Sequence, residues 1–106
     1  SCAASLAALS VLSEKDIVKQ VDEKSKLFFK FLSANSKIKE VRGTGLMLAV
    51  QLNDFDHVQT AIKKCLDKGI ILDWFLYNNS SIRIDPPLTI TNEEIEMVST
   101  ILNEVI

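Results

Sequence analysis

The sequence predicts an α+β fold, a small and mainly antiparallel sheet with helices on one face, its elements running α, α, β, β, α, β, β, α. Three observations predict it. Val58, Ala61, Ile62, Cys65 and Leu66 recur at the i, i+3, i+4, i+7, i+8 spacing of one helix face. Leu46, Leu48, Val50 and Leu52 alternate with Met47, Ala49 and Gln51 at the period of a strand. Strands joined by short turns and interleaved with helices fit a two-layer arrangement, the sheet forming one layer and the helices the other.

Each element has its own local signal. Residues 1–12 are almost wholly Ala, Leu, Val, Ser and Cys. They are too short to span a bilayer, which takes about 20 residues, and lack the basic start of a signal peptide. They read as a buried helix, and a helix apolar on all sides needs neighbours on all sides. Together with the absence of a Met before Ser1, this leads to the expectation that Ser1 is a cut point and that the helix lay against a larger body. Ser13 followed by Asp16 resembles an N-terminal cap and starts a second helix, with Ile17, Val18, Val21, Phe28, Phe29 and Leu32 inside and Lys19, Asp22, Glu23, Lys26 and Lys30 in water.

Asn35-Ser36 ends that helix. Residues 38–42 read as a strand, Gly43-Thr44-Gly45 as a turn, and residues 46–52 as a second strand whose start is covered on both faces. The third helix carries the Val58 to Leu66 face, and Gly69 stands where a left-handed C-terminal residue is usually needed. Residues 70–75 are a strand, Asn78-Asn79-Ser80 a turn, and residues 81–85 a last strand that must stop at Pro86, because proline lacks the N–H a ladder requires. Thr91 with Glu94 forms a capping box ahead of Ile95, Val98, Ile101, Leu102 and Val105. The whole of 1–106 reads as one domain, with no repeat, low-complexity tract or linker.

Composition removes several functions. With 12 Lys+Arg against 14 Asp+Glu the net charge is -2, so there is no electrostatic footing for nucleic acid or an anionic membrane. Cys2, Cys65 and His57 lack the spacing of a zinc site, and both thiols sit among apolar helical positions, as in a reducing, cytoplasmic protein. Gly43-x-Gly45 precedes a strand, so it reads as a hairpin turn and not as a phosphate loop. His57, beside Asp54 and Asp56, has no Ser or Cys neighbour in sequence to activate and reads as a solvated surface residue. Trp74, Phe75 and Tyr77 have no basic groove around them and read as strand-end packing or a subunit contact. Asp54, Asp56, Glu93, Glu94 and Glu96 are helix-start carboxylates.

Arg83 has two readings. If Ile82 and Ile84 point to the core, Arg83 and Asp85 project together from the other face. They then form either a surface ion pair, worth about 0–1 kcal/mol, or a planar guanidinium presented to a carboxylate.

Val41-Arg42-Gly43-Thr44-Gly45-Leu46-Met47, a helix ending in Lys68-Gly69, and Ile82-Arg83-Ile84-Asp85-Pro86-Pro87-Leu88-Thr89-Ile90-Thr91 follow one another in an order that resembles the C-terminal small domain of class III aminotransferases. This group includes the acetylornithine, ornithine and 4-aminobutyrate enzymes. The resemblance covers nearly the whole chain. It implies a fold-type I transaminase, a homodimer, moving an amino group from an acetylornithine- or ornithine-like donor to pyridoxal phosphate and on to a 2-oxo acid such as 2-oxoglutarate. In that family the Schiff-base lysine and the ring-supporting aspartate belong to a large domain, which would lie upstream of Ser1. The fragment alone would then be inactive and hold no cofactor. The arginine matching Arg83 faces the family's active-site cleft and meets a substrate carboxylate or an internal glutamate that masks it, whereas Arg42 and Gly43 match a structural pair. The other class of function is a free-standing α+β module for small-molecule binding or oligomerisation.

Overall fold

Alternation builds the sheet. In the computed structural model, which describes residues 1–14 and 16–106, four strands lie in the order β1-β2-β4-β3: β1 Glu40–Thr44, β2 Met47–Gln51, β3 Asp73–Phe75 and β4 Asn78–Ile84. All three pairings are antiparallel. The consequence is that β2 and β3 run parallel with β4 between them, and the helix α3 Phe55–Asp67 makes the crossover a parallel pair requires.

Leu48 and Val50 of β2 with Ile82 and Ile84 of β4 face the helices and are buried. Phe28 and Leu32 of α2 (Val21–Leu32), Val58, Ala61 and Cys65 of α3, and Ile95 and Leu102 of α4 (Asn92–Val105) close over them in one core. The helices are also clasped to one another. Asn35 Nδ2 donates to Asn103 Oδ1 at 3.1 Å, Asn103 Nδ2 to the Phe31 carbonyl at 3.0 Å, and Lys68 Nζ to Glu104 at 2.8 Å.

Several predicted ends hold. Asp54 caps α3 by accepting from the His57 N–H at 2.8 Å, Gly69 has φ +84°, β4 stops at Ile84 before Pro86, and Thr91 and Glu94 form the reciprocal box at the start of α4.

Other boundaries move, each for a physical reason. The first helix, α1 Cys2–Glu14, runs past Ser13, which is helical and cannot cap. The chain turns instead at Asp16, whose φ is +49°, and its carboxylate holds Lys19 at 2.8 Å. A single 3-10 turn, Val18–Gln20, leads into α2, so Ile17 packs from the turn and Val18 is exposed. Within this chain α1 buries none of its residues.

The hairpin turn is Gly45-Leu46, not Gly43-Thr44-Gly45. Gly43 and Thr44 pair in β1, and a positive-φ glycine opening a two-residue loop fits the type II′ pattern. Met47 is exposed, so the start of β2 is covered on one face only. The last turn is Leu76-Tyr77, and Asn78, Asn79 and Ser80 belong to β4. Asn78 and Ser80 are turn-forming types held in a strand by side-chain bonds to Gln51. Of residues 70–75 only Asp73–Phe75 pair; Ile70 and Leu72 instead pack against the core.

Two expected outcomes follow from these positions. A Cβ on Gly43 would lie 2.2 Å from the Met47 carbonyl oxygen, whereas one on Gly69 would meet nothing within 4 Å. Urea unfolding should show Gly43→Ala losing at least ~2 kcal/mol and Gly69→Ala only the ~1–2 kcal/mol of left-handed backbone strain. Cys2 is exposed and Cys65 is buried, where desolvation raises its thiol pKa and so reduces the thiolate at any given pH. Alkylation with iodoacetamide at pH 8, read by mass spectrometry, should label Cys2 and spare Cys65 until denaturant is added.

Candidate functional site: the open face of the sheet

The same alternation that buries Leu48, Val50, Ile82 and Ile84 sends Ala49, Gln51, Ser81 and Arg83 to the other face. Register then sets a row across all four strands. Arg42 is paired with Ala49, Ala49 with Arg83, and Arg83 with Asp73. Both arginines of the sequence therefore stand on one row, separated by a methyl group. Ala49 is too small to fill the space between them. A hollow of about 420 Å³ lies over it, walled by Arg42, Arg83, Phe75, Tyr77 and Asn78. Among the described residues its lining holds both guanidinium groups and no carboxylate.

Each arginine is neutralised from its outer flank. Arg42 Nη1 donates to Glu40 at 3.1 Å, both Nη atoms donate to Gln51 Oε1 at 3.3 Å, and Nη2 reaches Ser81 Oγ at 3.1 Å. Gln51 is the hub of this group. Its Oε1 also accepts from Ser81 Oγ at 2.7 Å and Asn78 Nδ2 at 3.1 Å, while its Nε2 donates to Ser80 Oγ at 2.7 Å and to the Leu52 and Ser80 carbonyls. Arg42 is thus a fixed part of the sheet.

Arg83 is held less completely. Nη2 donates to Asp73 Oδ2 at 3.1 Å, and Nε lies 3.4 Å from Asp85 Oδ2 without the geometry of a hydrogen bond. Its side chain remains 38% exposed, so solvent screens these pairs and they cost little to exchange.

The segment after β4 is tied down. Lys24, buried on α2, donates from Nζ to the Leu88 carbonyl at 2.8 Å, and the Ile90 N–H donates to the Pro87 carbonyl at 3.0 Å. A second hollow of about 450 Å³ lies on this flank of Arg83, lined by Phe28, Ile84, Pro86, Ile90 and Val98 with Asp73 and Asp85. It is mostly apolar. Lys24 is the one lysine among the described residues that is buried, and its amine is engaged by a backbone carbonyl.

The remaining candidates find structural roles. His57 is half-buried rather than solvated, its Nε2 lying 3.3 Å from the Ile106 carbonyl. Trp74 packs edge-on against Phe55 with centroids 5.9 Å apart, which is strand-end packing, while Tyr77 is exposed. No metal-ligating cluster exists among the described residues. Nor is any helix among them long and apolar enough to cross a membrane.

Reasoning from sequence placed Arg83 and Asp85 on one face. It missed Asp73 as the nearer partner, the alignment of Arg42 with Arg83, the Gln51 hub and Lys24. Placing the last turn at 76–77 would not by itself have found the first of these, because an unbroken hairpin there sets Asp73 opposite Ser80, and the register shift between Trp74 and Phe75 is what brings it opposite Arg83.

Residues 1–106 match the family described as Aminotransferase class-III, and the chain belongs to that family. It is 33% identical over 110 residues to an acetylornithine aminotransferase of Caldanaerobacter subterraneus subsp. tengcongensis, a match covering 100% of this chain and 27% of that relative. The ornithine aminotransferase of Toxoplasma gondii superposes with a TM-score of 0.85 at 28% identity, covering 98% of this chain and 26% of that one. The acetylornithine aminotransferase of Elizabethkingia anophelis does so with a TM-score of 0.83 at 26% identity, covering 98% and 27%. The chain spans about a quarter of the length of the curated relatives it matches, 27% and 26% in two cases.

Gln51 supplies a test of the open face. Gln51→Ala removes the acceptor of the buried Ser81 hydroxyl and of Asn78 Nδ2, and one of the two acceptors that each Arg42 Nη atom uses. It should cost about 1–3 kcal/mol in chemical denaturation, well above the effect of an ordinary surface substitution.

Proposed function

We propose that this chain is the C-terminal small domain of a pyridoxal-phosphate-dependent transaminase. The complete enzyme would be a homodimer that moves an amino group from an acetylornithine- or ornithine-like donor to a 2-oxo acid such as 2-oxoglutarate. Family membership and the acetylornithine and ornithine aminotransferases among its relatives support this reading. In this proposal α1 packs on a large domain, in keeping with its apolar composition and its exposure here.

Among the described residues the proposal finds no place for the coenzyme. The chain's buried lysine already donates to the Leu88 carbonyl, and the two-arginine hollow offers no amine to a carbonyl. The proposal therefore assigns the coenzyme, which supplies the amino-group chemistry, to parts of the enzyme outside these residues. What the chain contributes is recognition. Arg83, on the wall of the hollow and on one row with Arg42, is the group we assign to the substrate carboxylate; that row is the observation that carries the reading. A guanidinium binds a carboxylate through two parallel N–H···O bonds, fixing the substrate's orientation as well as its affinity.

In the complete enzyme, Arg83→Ala should weaken binding of an acidic substrate roughly 10- to 100-fold, the range of a lost charged hydrogen bond. Arg83→Lys should recover part of this. Half-reaction titrations with 2-oxoglutarate measure both, and unchanged affinity in a folded Arg83→Ala enzyme would sink the assignment.

A further inference from the structure

The charge arrangement around Arg83 has two sides. Toward the hollow over Ala49 it meets Arg42 and no carboxylate; toward the apolar hollow it meets Asp73 and Asp85. A single guanidinium thus serves two resident acids, so the three groups sum to one negative charge at neutral pH. Any anion that enters the two-arginine hollow must compete with the acids already in place.

Asp73 and Asp85 are not equivalent competitors. Asp73 is the direct cross-strand partner of Arg83 and accepts its Nη2 hydrogen bond at 3.1 Å. Asp85 stands 3.4 Å from Nε, and that nitrogen is closed to solvent yet makes no hydrogen bond among the described residues. Asp73 is also held in place by its own backbone, since its Oδ1 accepts the Trp74 N–H at 2.8 Å. One carboxylate oxygen is therefore anchored in the β3 strand while the other is presented to the arginine.

Resting on the assignment of Arg83 to a substrate carboxylate, we propose that Asp73 is the resident counter-ion that a carboxylate ligand displaces from Arg83. It sets how strongly the site takes acids and so tunes selectivity toward them. Asp73 does not touch the reacting atoms; it acts through Arg83 as a specificity-determining residue.

Asp73→Asn is a clean probe. It keeps an oxygen for the Trp74 N–H, removes the charge, and lies on an exposed position of an edge strand. Asp73→Glu is the conservative control. In the complete enzyme, half-reactions with 2-oxoglutarate as the probe should show Asp73→Asn binding about two- to fivefold more tightly, the range of a partly exposed ion pair. The rate at saturation, the unfolding midpoint and the affinity for an amine donor without a carboxylate should not move. Asp73→Glu should restore the wild-type affinity. In an Arg83→Ala background, Asp73→Asn should change nothing.

The outcomes separate the two ideas. If Arg83→Ala weakens 2-oxoglutarate binding but Asp73→Asn leaves it unchanged or weaker, the counter-ion role is overturned and the arginine assignment stands. If Arg83→Ala leaves binding unchanged, the arginine assignment falls and takes the counter-ion role with it. If Asp73→Asn tightens binding equally with and without Arg83, the effect is general electrostatics, and the specific displacement is overturned.

Discussion

The period of two in β4 is the constraint from which the rest of this structure follows. Ile82 and Ile84 are drawn to the helices by the free energy of removing their side chains from water, about 1.5–3 kcal/mol each. Their neighbours Ser81 and Arg83 then have one place to go. β4 is also hydrogen-bonded on both edges, so its register is set by two partners, and a one-residue slip would turn the arginine inward and the isoleucines outward. An apolar requirement on one face thereby positions a charged group on the other to within the precision of a β-ladder.

On the open face the energetics are of another kind. Arg42 and Arg83 share a hollow, and each has a carboxylate on its outer flank that offsets its charge. Arg42 is fixed by a network in which Gln51 receives and gives bonds on both sides of the amide. Such a network rigidifies when every member is satisfied. Arg83 sits in a looser arrangement, with a carboxylate to one side and an unfilled donor at Nε. The two arginines, alike in residue type and row, therefore differ in how easily each can take a new partner.

Much of the fold was legible because its signals are local. The capping box of Thr91 and Glu94, the left-handed Gly69 and the stop at Pro86 depend on residues a few positions apart. So does the face of α3, where Val58, Ala61 and Cys65 are buried, although Leu66, counted on the same face, stands at its edge and is exposed. What was misread depends on groups far away in sequence. Asn78 and Ser80 are turn formers by propensity, but Gln51, more than 25 positions earlier, gives their side chains partners that only a strand geometry satisfies. Ser13 resembles a cap only if a helix begins there, and the apolar run before it simply continues. In the site, Arg83 and Asp85 could be placed on one face by counting alone. Asp73 could not, because its meeting with Arg83 needs the correct turn and a register shift between Trp74 and Phe75.

The exposure of α1 has a consequence for how this chain folds. Its 13 residues bury nothing, and its two sides are equally apolar, so no face is selected for the chain's own core. A helix of that length is marginal in water on propensity alone, because the first turn is costly and few bonds follow to offset it. The helix therefore draws no stability from the core of this chain, and its amides are shielded by its own hydrogen bonds alone, whereas those of β2 and β4 are shielded by a packed sheet.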